Sequence, residues 1–478
     1  MAMSMWRGES LRVARCLNPF TQEMRGLFGR ALTAINSANG RSEMLRVVAG
    51  RFLMSLERID APLRPVQSVG VRRLGAGLIT GAADDDPSGI ATYTQAGALW
   101  GYAMLWTAVL TLPFMIGIQM VCAHVGRVTG RGLAANMRLH MPQPLVLVVV
   151  ALLLVANVIN LAADVGAMGA AARLVLGGPA WFYAVFLSLC SLGLEVWVPF
   201  GRYAPFLKWL TLSLLAYVVT AFVVHVPWRE ALAHLWPAGP WSRSYLIVVV
   251  GVFGTTISPY LFFWQASEEV EEEEISPGDE PLSVAPSQAF AAFERIRFDT
   301  VFGMTYSNLV AFFIILTGAA VLHAHGVTEV RTPAEAAQAL EPIAGRFASL
   351  LFAVGIIGTG MLALPVLAGS AAYAMAEANG KRSSLNDRPG SAKLFYFIIS
   401  MAMLIGIALS CSPINPIRLL LWAAVINGVI SVPLMVAIMW VACLPSAMSR
   451  FVVSGWLRWL GWGATAMMAL AVMGMFIL

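Results

Sequence analysis

Two stretches that interrupt apolar segments decide the fold of this chain: Asp84-Asp85-Asp86-Pro87-Ser88-Gly89 and Gly254-Thr255-Thr256-Ile257-Ser258-Pro259. In hydrocarbon, an unpaired backbone amide or carbonyl is so costly that a helix breaks only where the break is buried in protein or lines a wet cavity. A carboxylate at that depth usually marks an ion path. Interrupted spans in matching positions of two halves are the best sequence indication of a transport site. The two stretches therefore predict a membrane transporter whose ion site lies between them.

Composition indicates a membrane protein independently of these motifs. Of the 478 residues, 59% are hydrophobic and 12% are charged, and the mean hydropathy is +0.75. Soluble domains carry about 25% charged residues. The five cysteines have no metal-binding spacing, so we interpret them as small packing residues. No nucleophile–base pair or zinc motif indicates an enzyme, and no resident cofactor is expected.

The apolar segments predict an all-α integral membrane protein with eleven spanning helices, each of roughly twenty apolar residues. The expected spans are 74–100, 103–126, 144–170, 180–199, 204–226, 245–267, 299–323, 346–376, 392–411, 416–444 and 452–478. In this arrangement a minority of the basic residues lies on one side of the membrane. These are Arg173, Arg229, Arg243, Arg331, Arg346 and Arg418. The other, Lys/Arg-rich side is cytoplasmic by the positive-inside rule, so we expect the N-terminus inside and the C-terminus outside, in a cell membrane such as a bacterial inner membrane.

Two segments outside the spans carry charges of opposite sign. Residues 1–73 form a basic cytoplasmic extension that contains twelve arginines. It is either a helix that lies on anionic lipid or a basic tail that only fixes topology, which includes an over-extended start site. Residues 268–297 are expected to form an acidic cytoplasmic loop, with glutamate at six of the positions 268–274. This loop is either simply solvated or a vestibule that attracts divalent cations.

The chemistry of the two interruptions favours a hard divalent cation as substrate. Pro87 and Pro259 lack an amide hydrogen and break their helices, and Gly89 adopts backbone conformations that other residues avoid. The breaks then expose carbonyl and hydroxyl oxygens beside the Asp86 carboxylate. One carboxylate with neutral oxygens and water suits a hard divalent cation. The predicted metal ligands are Asp86, Gly89, Thr255, Thr256 and Ser258.

Further polar residues are candidates for the ion path. Asp164 has two interpretations, because it either lines the path or is a helix-end carboxylate that pairs with Arg173. Glu195, near the end of its span, is expected to contact lipid headgroups or Arg202 rather than to take part in transport. The candidates for the path are Asp84, Asp85, Asp164, Asn160, Tyr260 and Asn427.

The first interruption and its surroundings resemble the Nramp family of divalent-metal transporters. The resemblance rests on the Asp-Pro pair, on Gly75-Ala76-Gly77 before it, and on Gln95-Ala96-Gly97-Ala98 and Gly101-Tyr102 after it. The stretch Val125-Gly126-Arg127-Val128-Thr129-Gly130-Arg131-Gly132-Leu133 is also similar to the exit of the family's second span. The similarity covers roughly 70–478. It implies a transporter domain, 74–478, with five-plus-five inverted repeats over 74–226 and 245–444, broken helices 1 and 6, and an extra helix, 452–478.

The chain departs from the family pattern in both interruptions. Nramp proteins carry Asp-Pro-Gly-Asn in the first span and Ala-Thr-Val-Met-Pro-His in the sixth. By this resemblance the family's aspartate corresponds to Asp86, its asparagine ligand becomes Gly89, its thioether ligand becomes Ser258 and its histidine becomes Tyr260. These departures resemble the Nramp-related branch that is associated with Mg²⁺ transport.

We therefore expect uptake of Mg²⁺ and Mn²⁺ by alternating access, without obligatory proton coupling, because tyrosine at Tyr260 does not titrate near neutral pH as histidine does. The alternatives are a proton-coupled Mn²⁺/Fe²⁺ transporter of the typical Nramp kind, a sodium-coupled organic-solute carrier on the same fold, and a channel or sensor gated by the acidic insert. The expected partners are divalent metal ions and the lipid bilayer, with no nucleic acid, and the oligomeric state is left open.

Overall fold

The computed structural model describes residues 76–198, 202, 215–224, 226–237, 239–276, 278–328, 333–387, 389–412 and 416–478. The basic extension lies outside these residues, and so does most of the expected fifth span. Both interpretations of the extension therefore stay predictions. Within the described ranges all regular secondary structure is helical, as the sequence predicts.

The α-helices follow one another along the chain with short connections. They are α1 (Ala76–Asp84), α2 (Pro87–Trp100), α3 (Leu105–Thr129), α4 (Leu133–His140), α5 (Gln143–Leu176), α6 (Ala180–Trp197), α7 (Leu215–Val223), α8 (Trp228–Ala233), α9 (Arg243–Thr256), α10 (Pro259–Ile275), α11 (Ala289–Thr317), α12 (Pro333–Ala378), α13 (Lys393–Ser410), α14 (Pro416–Ala442), α15 (Pro445–Met448) and α16 (Gly455–Ile477). A π-helical turn, Gly318–Leu322, extends α11.

Nine segments of the described chain are long and apolar enough to cross a membrane. They are Pro87–Thr129, Gln143–Leu176, Ala180–Trp197, Arg243–Ile275, Pro286–His325, Ala353–Ala378, Lys393–Ser410, Leu419–Ala442 and Gly455–Ile477. The difference from the eleven expected spans has two sources. The segment Pro87–Thr129 combines parts of the first and second expected spans, and most of the fifth expected span lies outside the described residues.

Both sequence interruptions are breaks between consecutive helices. The first break separates α1 from α2, and the second separates α9 from α10. The two halves of each broken segment pack on different neighbours. Helix α1 packs mainly on α11 and α10, whereas α2 packs on α9 and α14 as well as on α11. The breaks therefore meet inside the helix bundle, with protein on every side of them.

Close contact between α9 and α14 depends on glycine. A Cβ atom at Gly254 would collide with the carbonyl oxygen of Ala424 and with the backbone of Gly428. Three residues earlier, a Cβ at Gly251 would make only ordinary contacts at 3.5 Å or more. Gly254 is thus the point at which the backbones of the two helices touch, one turn before the second break.

The acidic run after the second break is helical over most of its length. Helix α10 continues through Ile275, and Glu269, Glu271 and Glu273 are buried with 0%, 5% and 7% of their surface exposed. The expected solvated loop is therefore wrong for these three glutamates. A second helix, α11, begins at Ala289, so the segment without α-helix is shorter than predicted.

Each buried glutamate has partners from distant parts of the chain. Arg127, at the end of α3, pairs with Glu273 at 2.6 Å, and Arg295 on α11 pairs with Glu269 at 2.6 Å. Glu271 accepts hydrogen bonds from the Tyr373 hydroxyl and, at 2.7 Å, from the Leu385 amide. These contacts tie the end of α10 to three other elements, which a freely solvated carboxylate run would not do. They also argue against a vestibule lined by free carboxylates.

The Arg127–Glu273 pair predicts a stability difference between neighbouring glutamates. Glu273→Ala leaves a guanidinium that is 2% exposed without its carboxylate, and breaking a buried pair in this way costs about 3 kcal/mol or more. We expect a clear drop in the midpoint of thermal unfolding of the detergent-solubilised protein. The matched control is Glu274→Ala, because Glu274 is exposed and should be replaced at little cost. Equal midpoints for the two variants would contradict a stabilising role of the pair.

Candidate functional site

The first break places the Asp86 carboxylate at the start of α2. Asp86 has extended backbone angles, φ −68° and ψ 166°, and its Oδ1 accepts a hydrogen bond from the Gly89 amide at 2.5 Å. This is the usual geometry of an N-cap aspartate, with proline in the first helical turn where its missing amide hydrogen costs nothing. Asp86 is 2% exposed. The break therefore holds a buried carboxylate in a fixed orientation.

The second break contributes neutral oxygens. Ser258 lies between α9 and α10 with extended backbone angles, φ −79° and ψ 132°. Its hydroxyl donates to the carbonyl oxygens of Gly254 at 3.0 Å and Thr255 at 2.6 Å. The Thr256 hydroxyl donates to the Val252 carbonyl at 2.7 Å. The predicted ligands of this break thus cap the end of α9, and each carbonyl oxygen keeps a second lone pair for another partner.

Tyr260 connects the two breaks. Its hydroxyl lies 3.0 Å from the carbonyl oxygen of Ala83 and 3.2 Å from Oδ2 of Asp86. Gly89 brings the breaks together from the other side, because a Cβ there would lie 3.1 Å from the Thr255 hydroxyl oxygen and 3.3 Å from Oδ1 of Asp86. The structure therefore brings Asp86, Gly89 and Thr255 into one small region.

Asp84 and Asp85 face a different element. The Ser307 hydroxyl on α11 lies 2.6 Å from Oδ2 of Asp84 and 3.3 Å from Oδ1 of Asp85. Both carboxylates are fully buried. Within the described part of the chain, no three His, Cys, Asp or Glu side chains form a group that could hold a metal ion. Asp86 is thus the carboxylate of the breaks, and Asp84 and Asp85 add negative charge beside it.

Asp164 reaches the first break from α5. Its Oδ1 accepts a hydrogen bond from the Ser88 amide at 3.0 Å, whereas Arg173 is exposed on the last turn of the same helix. Of the two interpretations of Asp164, the structure favours the position beside the break. Asn160, one turn earlier on α5, is fully buried, and neither of its amide atoms has a hydrogen-bond partner among the described residues.

Helices α5 and α6 face each other with polar residues that alternate by three and four positions. On α5 these are Asn157, Asn160 and Asp164, and on α6 they are Ser188, Ser191 and Glu195. A Cβ at Gly169 would lie 2.8 Å from the Cβ of Ala184, which fixes the antiparallel register and sets the two polar faces at the same depth. All six side chains are at most 2% exposed. Unpaired buried polar atoms of this kind bind internal water.

Glu195 is the residue on which sequence reasoning was most wrong. It is 2% exposed, and neither carboxylate oxygen has a hydrogen-bond partner within the described ranges. A Cβ at Gly369 on α12 would lie 3.8 Å from its Oε1, so it faces the bundle rather than lipid headgroups or Arg202. The signal was present in the sequence, because Ser188 and Ser191 share its helical face while Phe186 and Leu189 on the other faces are exposed.

Three further residues complete the description of the site. Asn427 on α14 is 2% exposed, lies beside Gly428 at the contact with α9, and makes no printed contact with Asp86. Tyr93 on α2, which the sequence analysis did not single out, has its hydroxyl 3.0 Å from the Thr256 hydroxyl. Only the fold shows this proximity, since the two residues are far apart in sequence.

The arrangement has one carboxylate, Asp86, that faces hydroxyl and carbonyl oxygens from both breaks. No imidazole or thiolate of the described residues is hydrogen-bonded to the residues of either break, so the donor set consists of oxygens. Such a set suits a hard divalent cation that keeps part of its water.

Comparison with known sequences identifies relatives of one kind. The divalent metal cation transporter MntH of Yersinia enterocolitica is 27% identical over 312 residues, which cover 63% of this chain and 72% of the relative. MntH of Pectobacterium carotovorum is 26% identical over 312 residues, with 63% and 71% covered.

Solved structures show the same fold at low identity. A manganese transporter of Eremococcus coleocola superimposes with a TM-score of 0.65 at 18% identity, covering 84% of this chain and 85% of that one. Mhp1, a nucleobase-cation-symport-1 family transporter, gives a TM-score of 0.55 at 13% identity, covering 84% and 92%. The chain thus has the LeuT-like transporter fold of an all-helical, multi-pass membrane protein.

A family model confirms the resemblance found in the sequence. The model described as natural resistance-associated macrophage protein-like, Nramp, matches residues 77–478, which is nearly all of the chain beyond the basic extension. The chain therefore belongs to the Nramp family, whose members are membrane carriers and not enzymes.

Proposed function

We propose that this chain carries divalent metal cations across a membrane by alternating access, with Asp86 as the charged ligand. The observation that supports this most directly is a buried carboxylate held at a helix break and faced by neutral oxygens of a second break. Relatives that are named divalent metal cation transporters support the same substrate class. The proposed ligands are Asp86, Gly89, Thr255, Thr256 and Ser258, and Asp84, Asp85, Asn160, Asp164, Tyr260 and Asn427 are proposed to line the path.

The proposed architecture follows the family. It consists of eleven spans in five-plus-five inverted repeats over 74–226 and 245–444, with an extra helix, 452–478, and a basic cytoplasmic extension, 1–73. The proposed location is a bacterial inner membrane with the N-terminus inside and the C-terminus outside, as the distribution of Lys and Arg indicates.

Two substrates are proposed on different grounds. Mn²⁺ is supported by the relatives, since one solved structure with this fold is named a manganese transporter. Mg²⁺ is supported by the site residues alone, because Ser258 supplies an oxygen where the Nramp motif has a thioether. A site of oxygens has no soft-ligand preference for Mn²⁺ or Cd²⁺ over hard ions. On this basis we place the chain with the Nramp-related magnesium transporters.

Asp86→Asn is expected to abolish saturable uptake of Mn²⁺ and Mg²⁺, because it removes the carboxylate charge that the neutral oxygens of the breaks do not replace. Uptake is measured by radiotracer or dye in proteoliposomes, and gel filtration checks that the protein stays folded. Glu274→Gln, which neutralises an exposed carboxylate, is the control and should transport normally. A wild-type rate in Asp86→Asn would rule out Asp86 as the charged ligand.

Selectivity is tested at Ser258. Ser258→Met supplies a thioether and is expected to raise the affinity for Cd²⁺ relative to Mg²⁺, measured by competition against Mn²⁺ uptake. The substitution also removes the hydroxyl that caps the Gly254 and Thr255 carbonyls. Ser258→Ala removes the same cap without adding sulfur, and it should leave the Cd²⁺ preference unchanged. If millimolar Mg²⁺ neither crosses the membrane nor competes with Mn²⁺ in the wild-type protein, the magnesium proposal is wrong.

Proton coupling separates this proposal from a second candidate, the proton-coupled Mn²⁺/Fe²⁺ transporter. Tyr260 occupies the position of the family's histidine, and the membrane potential alone favours cation entry by about 2.3 kcal/mol per charge per 100 mV. The second candidate is favoured by Asp164, which contacts the first break and begins a buried polar face that leads to Glu195.

Metal uptake is therefore expected without acidification of the vesicle lumen, which a trapped pH-sensitive dye reports while Mn²⁺ or Mg²⁺ is added outside. Acidification that scales with metal uptake and disappears in Asp164→Asn would establish the second candidate instead. Asp299→Asn is the control for the loss of a buried carboxylate outside the breaks, since Asp299 accepts a hydrogen bond from the Gly77 amide at 2.6 Å.

A further inference from the structure

An apolar groove of about 260 Å³ lies between α9, α14 and α16, away from the two breaks. Its lining includes Ile247, Val429, Met475 and the exposed rings of Trp422 and Phe476. Trp422 and Val429 are two turns apart on α14, so the groove runs about 10 Å along that helix. This length and this lining suit a hydrocarbon chain rather than a polar ligand.

A single cation closes one end of the groove. Arg243 lines it, begins α9 and is exposed, and it has no acidic partner among the residues that the structure describes. The start of a membrane-spanning segment is where lipid phosphates lie, and a basic side chain there attracts anionic headgroups. An apolar groove that ends at a free guanidinium is thus complementary to an acyl chain attached to a negatively charged phosphate.

We propose that this groove binds one acyl chain of an anionic phospholipid, whose phosphate contacts Arg243. A zwitterionic phospholipid offers the same chain but no net negative charge, so it binds more weakly. Free phosphate esters lack the chain that fills the groove and do not compete. The ligand is therefore defined by both of its parts.

The groove adjoins the packing that positions the second break. Leu246 and Val250 of α9 form a buried cluster with Val425 and Met475 of α14 and α16, directly behind the groove. One turn further, Gly254 touches the backbone of α14. A chain in the groove adds contacts that hold α9 between its neighbours, so lipid binding should change the uptake rate. This effect on uptake rests on the proposed function, whereas binding itself does not.

Quenching of Trp422 by lipids with brominated acyl chains tests binding directly. The signal is the difference between the wild-type protein and Trp422→Phe in nanodiscs, because the chain contains 15 tryptophans. Brominated phosphatidylglycerol should quench Trp422 at about fivefold lower lipid fraction than brominated phosphatidylcholine, which corresponds to about 1 kcal/mol for one basic side chain at an anionic headgroup. Arg243→Gln should remove this preference, and Arg173→Gln, which changes another exposed arginine, should keep it.

Three outcomes would overturn the proposal. They are equal quenching by the two lipids in the wild-type protein, an unchanged preference in Arg243→Gln, and displacement of brominated phosphatidylglycerol by glycerol 3-phosphate. If Arg243→Gln does not fold, Val429→Phe, which fills the groove, must instead reduce quenching by phosphatidylglycerol. Phosphatidylglycerol-dependent quenching in a protein that takes up no divalent cation in any lipid would refute the proposed function and leave the lipid site intact.

Discussion

The structure depends on one constraint, which is that two helix breaks inside an apolar bundle must find partners for the backbone groups they free. Pro87 and Pro259 remove amide donors, but carbonyl oxygens before each break still need hydrogen bonds. Side chains supply them: the hydroxyl of Tyr260 meets the Ala83 carbonyl, and the hydroxyl of Ser258 meets two carbonyls at the end of α9. The residues that make the breaks stable are thus the same residues that form the candidate site. This coupling explains why the site and the fold are recognisable from the same short motifs.

The buried charges around the breaks are of one sign. Asp84, Asp85, Asp86 and Asp164 are each at most 2% exposed, whereas the buried Arg127 lies at the far end of α3 with Glu273. At low dielectric, such carboxylates repel one another and attract cations strongly. Selectivity for charge therefore comes from the whole group of carboxylates, while the oxygen ligands of the breaks determine which cation fits.

Much of this could be predicted from the sequence, because proline and glycine act locally. The positions of both breaks, the helical class and the family follow from a few residues near Pro87 and Pro259 and are confirmed by the structure and the family match. The surroundings of the acidic side chains could not be predicted. Glu273 looks like part of a solvated run until the fold brings Arg127 to it from more than a hundred residues away.

Helix α6 shows a second limit of sequence reasoning. In a soluble protein, the apolar face of a helix is buried and the polar face is exposed. In α6 the arrangement is reversed, since Ser188, Ser191 and Glu195 are buried while Phe186 and Trp197 are exposed. The helical spacing of these residues is visible in the sequence, but its direction is known only once the lipid-facing side of the bundle is known. A carboxylate near the end of such a helix is then easily assigned to the wrong side.

Gly89 has a consequence for how this site can change during evolution. A side chain at this position would bring its Cβ to 3.1 Å from the Thr255 hydroxyl and 3.3 Å from the Asp84 carbonyl, so its neighbours would have to move by a few tenths of an ångström. The family's asparagine therefore does not fit at position 89 without a change in the second break. The two motifs constrain each other's history, although about 160 residues separate them in the chain. Conversion of one ligand set into the other requires paired substitutions, and intermediates with only one of them carry the steric penalty.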